Sequence, residues 1–228
     1  MTKFYKILNE KECHNDLQYK TGLNVDPNEF QKEGSCVEGG IYFAPVTSIL
    51  AFCEYGPNIR EVTLPNDSQW IKDPGEGDEK YRADKVVFGP RMDLWKVETF
   101  QRLVSEGADI HAGDDQALKW AARNGYLEVV EFLVENGADI HAWDDFALEQ
   151  AACNGHLEVV EFLVSIGADI HTCEDLALRK AAYNGHLEVV KFLVENGADI
   201  HAWGNRALRF ADEKGHSEVV EYLKSQGC

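Results

Sequence analysis

One phrase returns four times at a fixed interval, and it constrains this chain more than any other feature. Gly-Ala-Asp-Ile-His opens at Gly107, Gly137, Gly167 and Gly197, always by the same step. A second phrase keeps pace, as Asn124-Gly125-Tyr126-Leu127, Asn154-Gly155-His156-Leu157 and Asn184-Gly185-His186-Leu187, with a looser Lys214-Gly215-His216-Ser217. Residues 97–106 align with 127–136, so the array starts in a partial copy near residue 93 and runs to Cys228. A period of this kind means supersecondary units that stack, because one unit alone cannot bury its own apolar face.

Within a copy the apolar spacing is helical. Ala117, Leu118, Ala121 and Ala122 form one stripe, and Leu127, Val130, Leu133 and Val134 a second. Asn124-Gly125 predicts the turn between them, and Gly137 a left-handed stop after the second helix. Asp115, Asp145, Asp175 and Asn205 precede the first helix of their copies, where side-chain oxygens are expected to cap its free amides. The run ALxxAAxNGHLEVVxFLVxxGADIHA resembles the ankyrin repeat over residues 93–228, and short copies worded this way are similar to those of giant-virus proteins of the mimivirus kind. The resemblance implies an all-α solenoid of stacked helix-turn-helix repeats. The family repeat runs to about 33 residues and opens its first helix with Thr-Pro-Leu-His. Here the period is 30 and Gln116-Ala117-Leu118-Lys119 stands in that place, so short fingers are expected where the family projects a hairpin.

Residues 1–90 carry no repeat and read as a small α+β domain. Leu17, Tyr19, Thr21, Leu23 and Val25 alternate as a half-buried strand, and 41–44 reads as a buried one. Pro45 opens a predicted helix with Val46, Ile49, Leu50 and Cys53 on one face; 59–64 and 81–88 predict further strands. The Asp-, Gly- and Pro-rich stretch 65–79 reads as a mobile surface loop, and Gly89-Pro90-Arg91 as the joint. The expected plan is therefore 1–90, then 91–228 with a partial copy at 93–112 and further copies at 113–142, 143–172, 173–202 and 203–228. Residues 14–26 and 39–44 resemble the N-terminal region of the same viral proteins, which implies a shared fold and no assigned chemistry.

Twenty-two basic residues against 40 acidic ones give a formal charge of −18. Phosphate backbones and anionic lipid are repelled by such a chain, so neither nucleic acid nor membrane is expected as a partner. No apolar run reaches the roughly 18 residues of a membrane span, and the N-terminus has no signal-peptide core. With six scattered cysteines and no CxxC spacing, an intracellular chain with reduced thiols is expected, in host cytoplasm if the protein is viral.

Seven of the eight histidines recur copy by copy, which suits bracing of turns rather than a unique reaction. A metal ladder along them fails on distance, since stacked helices lie about 8–10 Å apart and a zinc–nitrogen bond spans about 2 Å. Cys13, His14, Cys36 and Cys53 match no zinc spacing, and no GxSxG, HExxH or phosphate loop is present, so neither metal nor cofactor is expected. Gly40-Ile41-Tyr42-Phe43-Ala44 resembles the GIYFA strand of poly(ADP-ribose) polymerases. That resemblance implies Tyr42 as the ring stacking on the nicotinamide of NAD, with His14 and Glu61 as the remaining candidates of an ADP-ribosyltransferase-like enzyme. The family's histidine is followed by Gly and Ser or Thr, whereas Asn15 follows His14, and no motif marks Glu61.

Positions that vary between copies stand apart from the frame. Gln116, Trp120 and Arg123 become Phe146, Gln150 and Cys153, then Leu176, Lys180 and Tyr183, then Arg206, Phe210 and Glu213; at the finger, Gly113 becomes Trp143, Cys173 and Trp203. In the ankyrin family such positions line the concave groove that holds a protein, so the resemblance implies that role here. Aromatic anchors beside Arg suit interface hot spots, and the acidic surroundings suit a basic partner. Trp120 and Phe210 would serve equally in packing between copies. The leading expectation is a monomeric, non-catalytic protein-binding module acting as a viral effector or adaptor. The NAD-using enzyme is one alternative. An adaptor recruiting ubiquitin machinery through residues 1–90, the chain ending at Gly227-Cys228, is the other.

Overall fold

The computed structural model describes residues 2–14, 17–35, 37 and 39–228. By packing, the chain divides into two compact units, Met1–Ala117 and Leu118–Cys228.

The first unit is built on strands β1 (Phe4–Leu8), β2 (Cys13–His14), β3 (Leu17–Gln18), β4 (Gly22–Val25), β5 (Ile41–Pro45), β6 (Asn58–Thr63), β7 (Trp70–Lys72), β8 (Tyr81–Ala83), β9 (Lys85–Phe88) and β10 (Met92–Asp93). The sheet runs β4-β9-β6-β1-β5-β8-β7 with β10 beside β6, while β2 and β3 form a separate hairpin. Every pairing is antiparallel. Leu8, Tyr19, Ile41, Phe43, Val62, Ala83, Val86 and Phe88 form the core. Buried Arg60 has a partner at each of its three nitrogens, donating to both oxygens of Glu12 at 2.7 and 2.9 Å, the Thr21 hydroxyl at 2.9 Å and the Gly89 carbonyl at 2.7 Å.

Local details depart from the sequence reading. The alternation over 17–25 breaks, leaving Leu23 and Val25 each 51% exposed while Asn24 is buried. The cause is the Asn24 side chain, which bonds the Lys20 N–H at 3.0 Å and its carbonyl at 2.7 Å and so turns the polar face inward. Pro45 ends β5 rather than opening a helix, and a 3-10 helix follows at Ile49–Tyr55, kinked at Phe52, with Ile49, Leu50 and Cys53 buried. The stretch 65–79 contains β7, paired with β8 from Trp70 opposite Ala83 to Lys72 opposite Tyr81. Strand β1 escapes the sequence reading because its middle residue, Lys6, interrupts an otherwise apolar run.

Nine helices among the described residues follow: α1 (Val97–Ser105), α2 (Ala112–Asn124), α3 (Leu127–Glu135), α4 (Ala142–Asn154), α5 (Leu157–Ser165), α6 (Thr172–Asn184), α7 (Leu187–Glu195), α8 (Ala202–Lys214) and α9 (Ser217–Ser225). Helix α1 belongs to the first unit, where Arg102 pairs with Glu61 on β6 at 2.6 Å. Glu106 accepts bonds from Lys3 at 2.5 Å, from Arg102 at 3.0 Å and from the Tyr5 hydroxyl. The joint expected at 90/91 and the boundary of packing, after Ala117, are thus different places in the chain.

In the second unit α4, α6 and α8 stack as one layer and α5, α7 and α9 as the other. Ala147, Leu148, Ala151 and Ala152, and Ala177, Leu178, Ala181 and Ala182, are buried as their spacing predicts, whereas in the last copy Leu208 is half-buried and Asp212 exposed. The stripe of the second helices is shifted: Val129, Val130 and Leu133 are buried, whereas Leu127 and Val134 are only half-buried. A short helix facing both its partner and its neighbours turns both valines of Glu-Val-Val inward. The architecture is the expected one, an α+β region followed by an all-α array.

Candidate protein-binding surface

The short period leaves only residues 136–141 between α3 and α4, the second helix of one copy and the first of the next. The chain completes its reversal in a left-handed turn that interrupts the first helix of the next copy just after its first residue. Trp143, Asp144 and Asp145 have φ of 56°, 55° and 55°, and Cys173, Glu174 and Asp175 have 50°, 57° and 55°. Trp203, Gly204 and Asn205 repeat the turn in the last copy, and Gly113, Asp114 and Asp115 make it in the first unit. A non-glycine residue held there costs roughly 1–2 kcal/mol, so other bonds must hold the turn. They come from the Asp and His of the repeated phrase. The Asp169 carboxylate accepts the His171 N–H at 2.8 Å, and the His171 Nδ1 lies 3.1 Å from Asp175.

The expected helix caps are corrected by this geometry. The Asp145 carboxylate reaches across the stack to the next copy, accepting the Asp169 N–H at 3.0 Å and the Thr172 hydroxyl at 3.2 Å. Asp175 accepts the Asp199 N–H at 2.9 Å in the same way. The left-handed backbone aims these side chains at the following turn instead of at their own helix.

The same turn throws its first residue outward. Trp143 is 66% exposed and Trp203 62%. Each ring nevertheless rests on a cation from the preceding copy, Lys119 Nζ at 4.9 Å and the Arg179 guanidinium at 4.8 Å from the ring centres. Arg179 is itself fixed, donating to the carbonyls of Cys173 at 2.6 Å and Glu174 at 3.0 Å. Cation–ring contacts contribute about 0.5–2 kcal/mol and hold the indole in place before any partner arrives. The sequence carries a signal for this: Lys119 and Arg179 precede Trp143 and Trp203 by the same offset, and at that offset before Cys173 stands Glu149 instead of a cation.

Further along, Tyr183 and Phe210 meet edge to face at 5.2 Å, with Arg206 over Phe210 at 4.1 Å and Lys214 over Tyr183 at 4.4 Å. Arg123 covers Trp120 at 4.8 Å. Of the variable positions, Arg123, Trp143, Cys173, Tyr183 and Trp203 are exposed, while Gln116, Trp120, Phe146, Gln150, Leu176, Lys180, Arg206 and Phe210 are half-buried. Gln116 belongs to the first compact unit and the others to the second. Phe210 packs between copies and still faces solvent. Lys119, Arg179 and Lys214 join this face although they lie outside the variable set. Between Asp144, Glu149 and Cys173 the surface encloses only about 10 Å³, too little for a small molecule at that place.

Among the remaining candidates, His14 and Tyr42 line one pocket of about 400 Å³ in the first unit, and Cys13 lines it with them. Glu61 is held by Arg102 and does not line it. Cys53 is buried, which pushes its thiol pKa up, and Cys36 lies outside the described residues. Among the described residues no three His, Cys, Asp or Glu side chains are grouped to hold a metal, and no helix is long and apolar enough to cross a membrane.

The family described as ankyrin repeats (3 copies) matches residues 148–228, and that described as ankyrin repeats (many copies) matches residues 118–164. The chain is similar to the ankyrin repeat proteins R229 and R868 of Acanthamoeba polyphaga mimivirus. It is 40% identical to the first over 56% of this chain and 46% of that protein, and 39% identical to the second over 56% and 64%. It is also 36% identical to the uncharacterized protein R869 of that virus, over 56% of this chain and 94% of the relative. The chain thus spans about half to two thirds the length of the two relatives named for ankyrin repeats.

Proposed function

The chain belongs to the ankyrin-repeat family, and from that premise we propose that the variable face of residues 118–228 binds a protein. One observation carries the reading: Trp143 and Trp203, two copies apart at equivalent positions, are the most exposed large apolar side chains among the described residues and are each held on a cation. The helix frame needs neither ring, and Cys173 fills the same position between them. A pre-ordered, exposed tryptophan is what an interface hot spot requires. Exposed Asp144 and Glu174, which follow the outward residues Trp143 and Cys173, in a chain of charge −18, suit a partner with basic residues. An adaptor or effector role in an infected cell is the finer reading we propose with it, the relatives being ankyrin repeat proteins of a virus. The reading is occupancy rather than turnover, since Glu61, the acid considered with His14 and Tyr42, sits elsewhere on β6.

The test is affinity capture from amoebal lysate with the full chain, followed by cross-linking to locate the contact. Changing Trp143→Ala and Trp203→Ala together should weaken retention at least tenfold while the helical far-UV signal is kept, the two lost cation–ring contacts lowering the melting temperature by a few degrees. Raising salt from about 50 to 500 mM should slow association. A partner held equally well by the double variant would refute the assignment of this face.

A further inference from the structure

Strands β1 and β5 pair at two positions only, Phe4 with Pro45 and Tyr5 with Ala44, and then part. The pocket of about 400 Å³ opens in that fork. Lys6, the residue that interrupts the apolar run of β1, spans it: the side chain is buried, donates to the Tyr42 carbonyl at 2.8 Å, and lies 5.4 Å from the centre of the Tyr19 ring. Among the described residues no carboxylate pairs with it. Burial without a counter-charge lowers its pKa to about 8. An ammonium has three donors and Tyr42 takes one, so two are left for something in the pocket. Were Lys6 only structural, an apolar side chain would fill the same space without the desolvation penalty.

The surroundings agree in sign and shape. Lys80 also lines the fork, 5.9 Å from the centre of the Tyr42 ring, and none of the described residues lining it is acidic, in a chain with 40 carboxylates. Phe43, Phe52 and Tyr55 supply aromatic wall, and Arg82 fixes Tyr42 by donating to its hydroxyl at 3.2 Å. A pocket this size falls within the range of small-molecule sites.

We propose that the fork between β1 and β5 binds a small organic anion, a flat apolar ring system bearing one acidic group, with the acid against Lys6 and the ring against the aromatic wall. The probes are 8-anilinonaphthalene-1-sulfonate and its neutral counterpart N-phenyl-1-naphthylamine, titrated by fluorescence into the full chain. The sulfonate should bind at one site at least tenfold more tightly than the neutral probe. Lys6→Gln should weaken the sulfonate tenfold or more and leave the neutral probe within about twofold. Tyr55, 57% exposed, can be changed without disturbing the core, so Tyr55→Ala tests the pocket even if the Lys6 variant does not fold, and it should weaken both probes. Equal affinity for the two probes, sulfonate binding indifferent to Lys6→Gln, or binding of both probes indifferent to Tyr55→Ala would overturn the proposal.

Discussion

Gly155 and Gly215 occupy equivalent positions with nearly equal φ, +79° and +77°, yet they meet different surroundings. A Cβ on Gly155 would come within 2.5 Å of the His186 Nδ1, whereas one on Gly215 would meet nothing within 4 Å. His186 Nε2 bonds the Cys153 carbonyl at 3.0 Å, and His156 and His216 bond the Arg123 and Tyr183 carbonyls at 2.9 and 3.0 Å. Each ring therefore lies on the turn of the copy before it, and only the last turn carries none. Gly215→Ala should cost about 1 kcal/mol from the left-handed backbone alone. Gly155→Ala should cost about 3 kcal/mol, because the ring and its hydrogen bond must also move. Urea denaturation compares the two; equal losses would contradict this account. That a reused histidine is structural is readable from its recurrence, but its partner on the preceding turn is not.

At the scale of an element, the left-handed turn replaces a hairpin finger and stores strain while its carboxylates tie copies together. Two substitutions separate these effects. Asp144→Gly removes strain at an exposed position where the last copy already has Gly204, and should stabilise by about 1 kcal/mol. Asp145→Ala deprives the Asp169 N–H of its acceptor and removes the Asp145 contact with the His141 Nδ1, while the Thr172 hydroxyl keeps the Asp169 carbonyl at 2.8 Å, and should destabilise by about 2–3 kcal/mol. Thermal melts of the two variants moving in the same direction would sink the explanation. Spacing placed these aspartates before a helix, where capping is the ordinary role; a turn of opposite hand leaves no mark in apolar periodicity.

At the scale of the whole molecule, the helix that begins the repeat wording, α1, is secured to the sheet of the first unit through Glu106. Burial alone would raise the pKa of this carboxyl, but bonds from Lys3, Tyr5 and Arg102 outweigh it and hold the group at about 2 against an ordinary 4.5. A depressed carboxyl contributes stability that is fully present above the ordinary value and is lost as pH falls through the folded one. The first unit should therefore lose up to about 3 kcal/mol between pH 4.5 and 2 from this group. Glu106→Gln should be less stable at neutral pH and show a flatter acid profile. An unchanged profile would show that Glu106 does not set it.

Repetition and apolar period determined by themselves the helix pairs, their number and the family, because a stripe of Ala, Leu and Val repeated at one constant interval has one way to be buried, which is stacking. Charge and the variable positions marked the face proposed for a partner. Which cation lies under which tryptophan, which histidine rests on which glycine, and where β1 and β5 part were decided by tertiary structure alone. Those contacts join residues far apart in the chain, and their geometry depends on how neighbouring elements approach, which no local pattern encodes. The fork around Lys6 is the clearest case: in the sequence it is a lysine that spoils a strand, and in the fold it is a buried cation facing an open pocket.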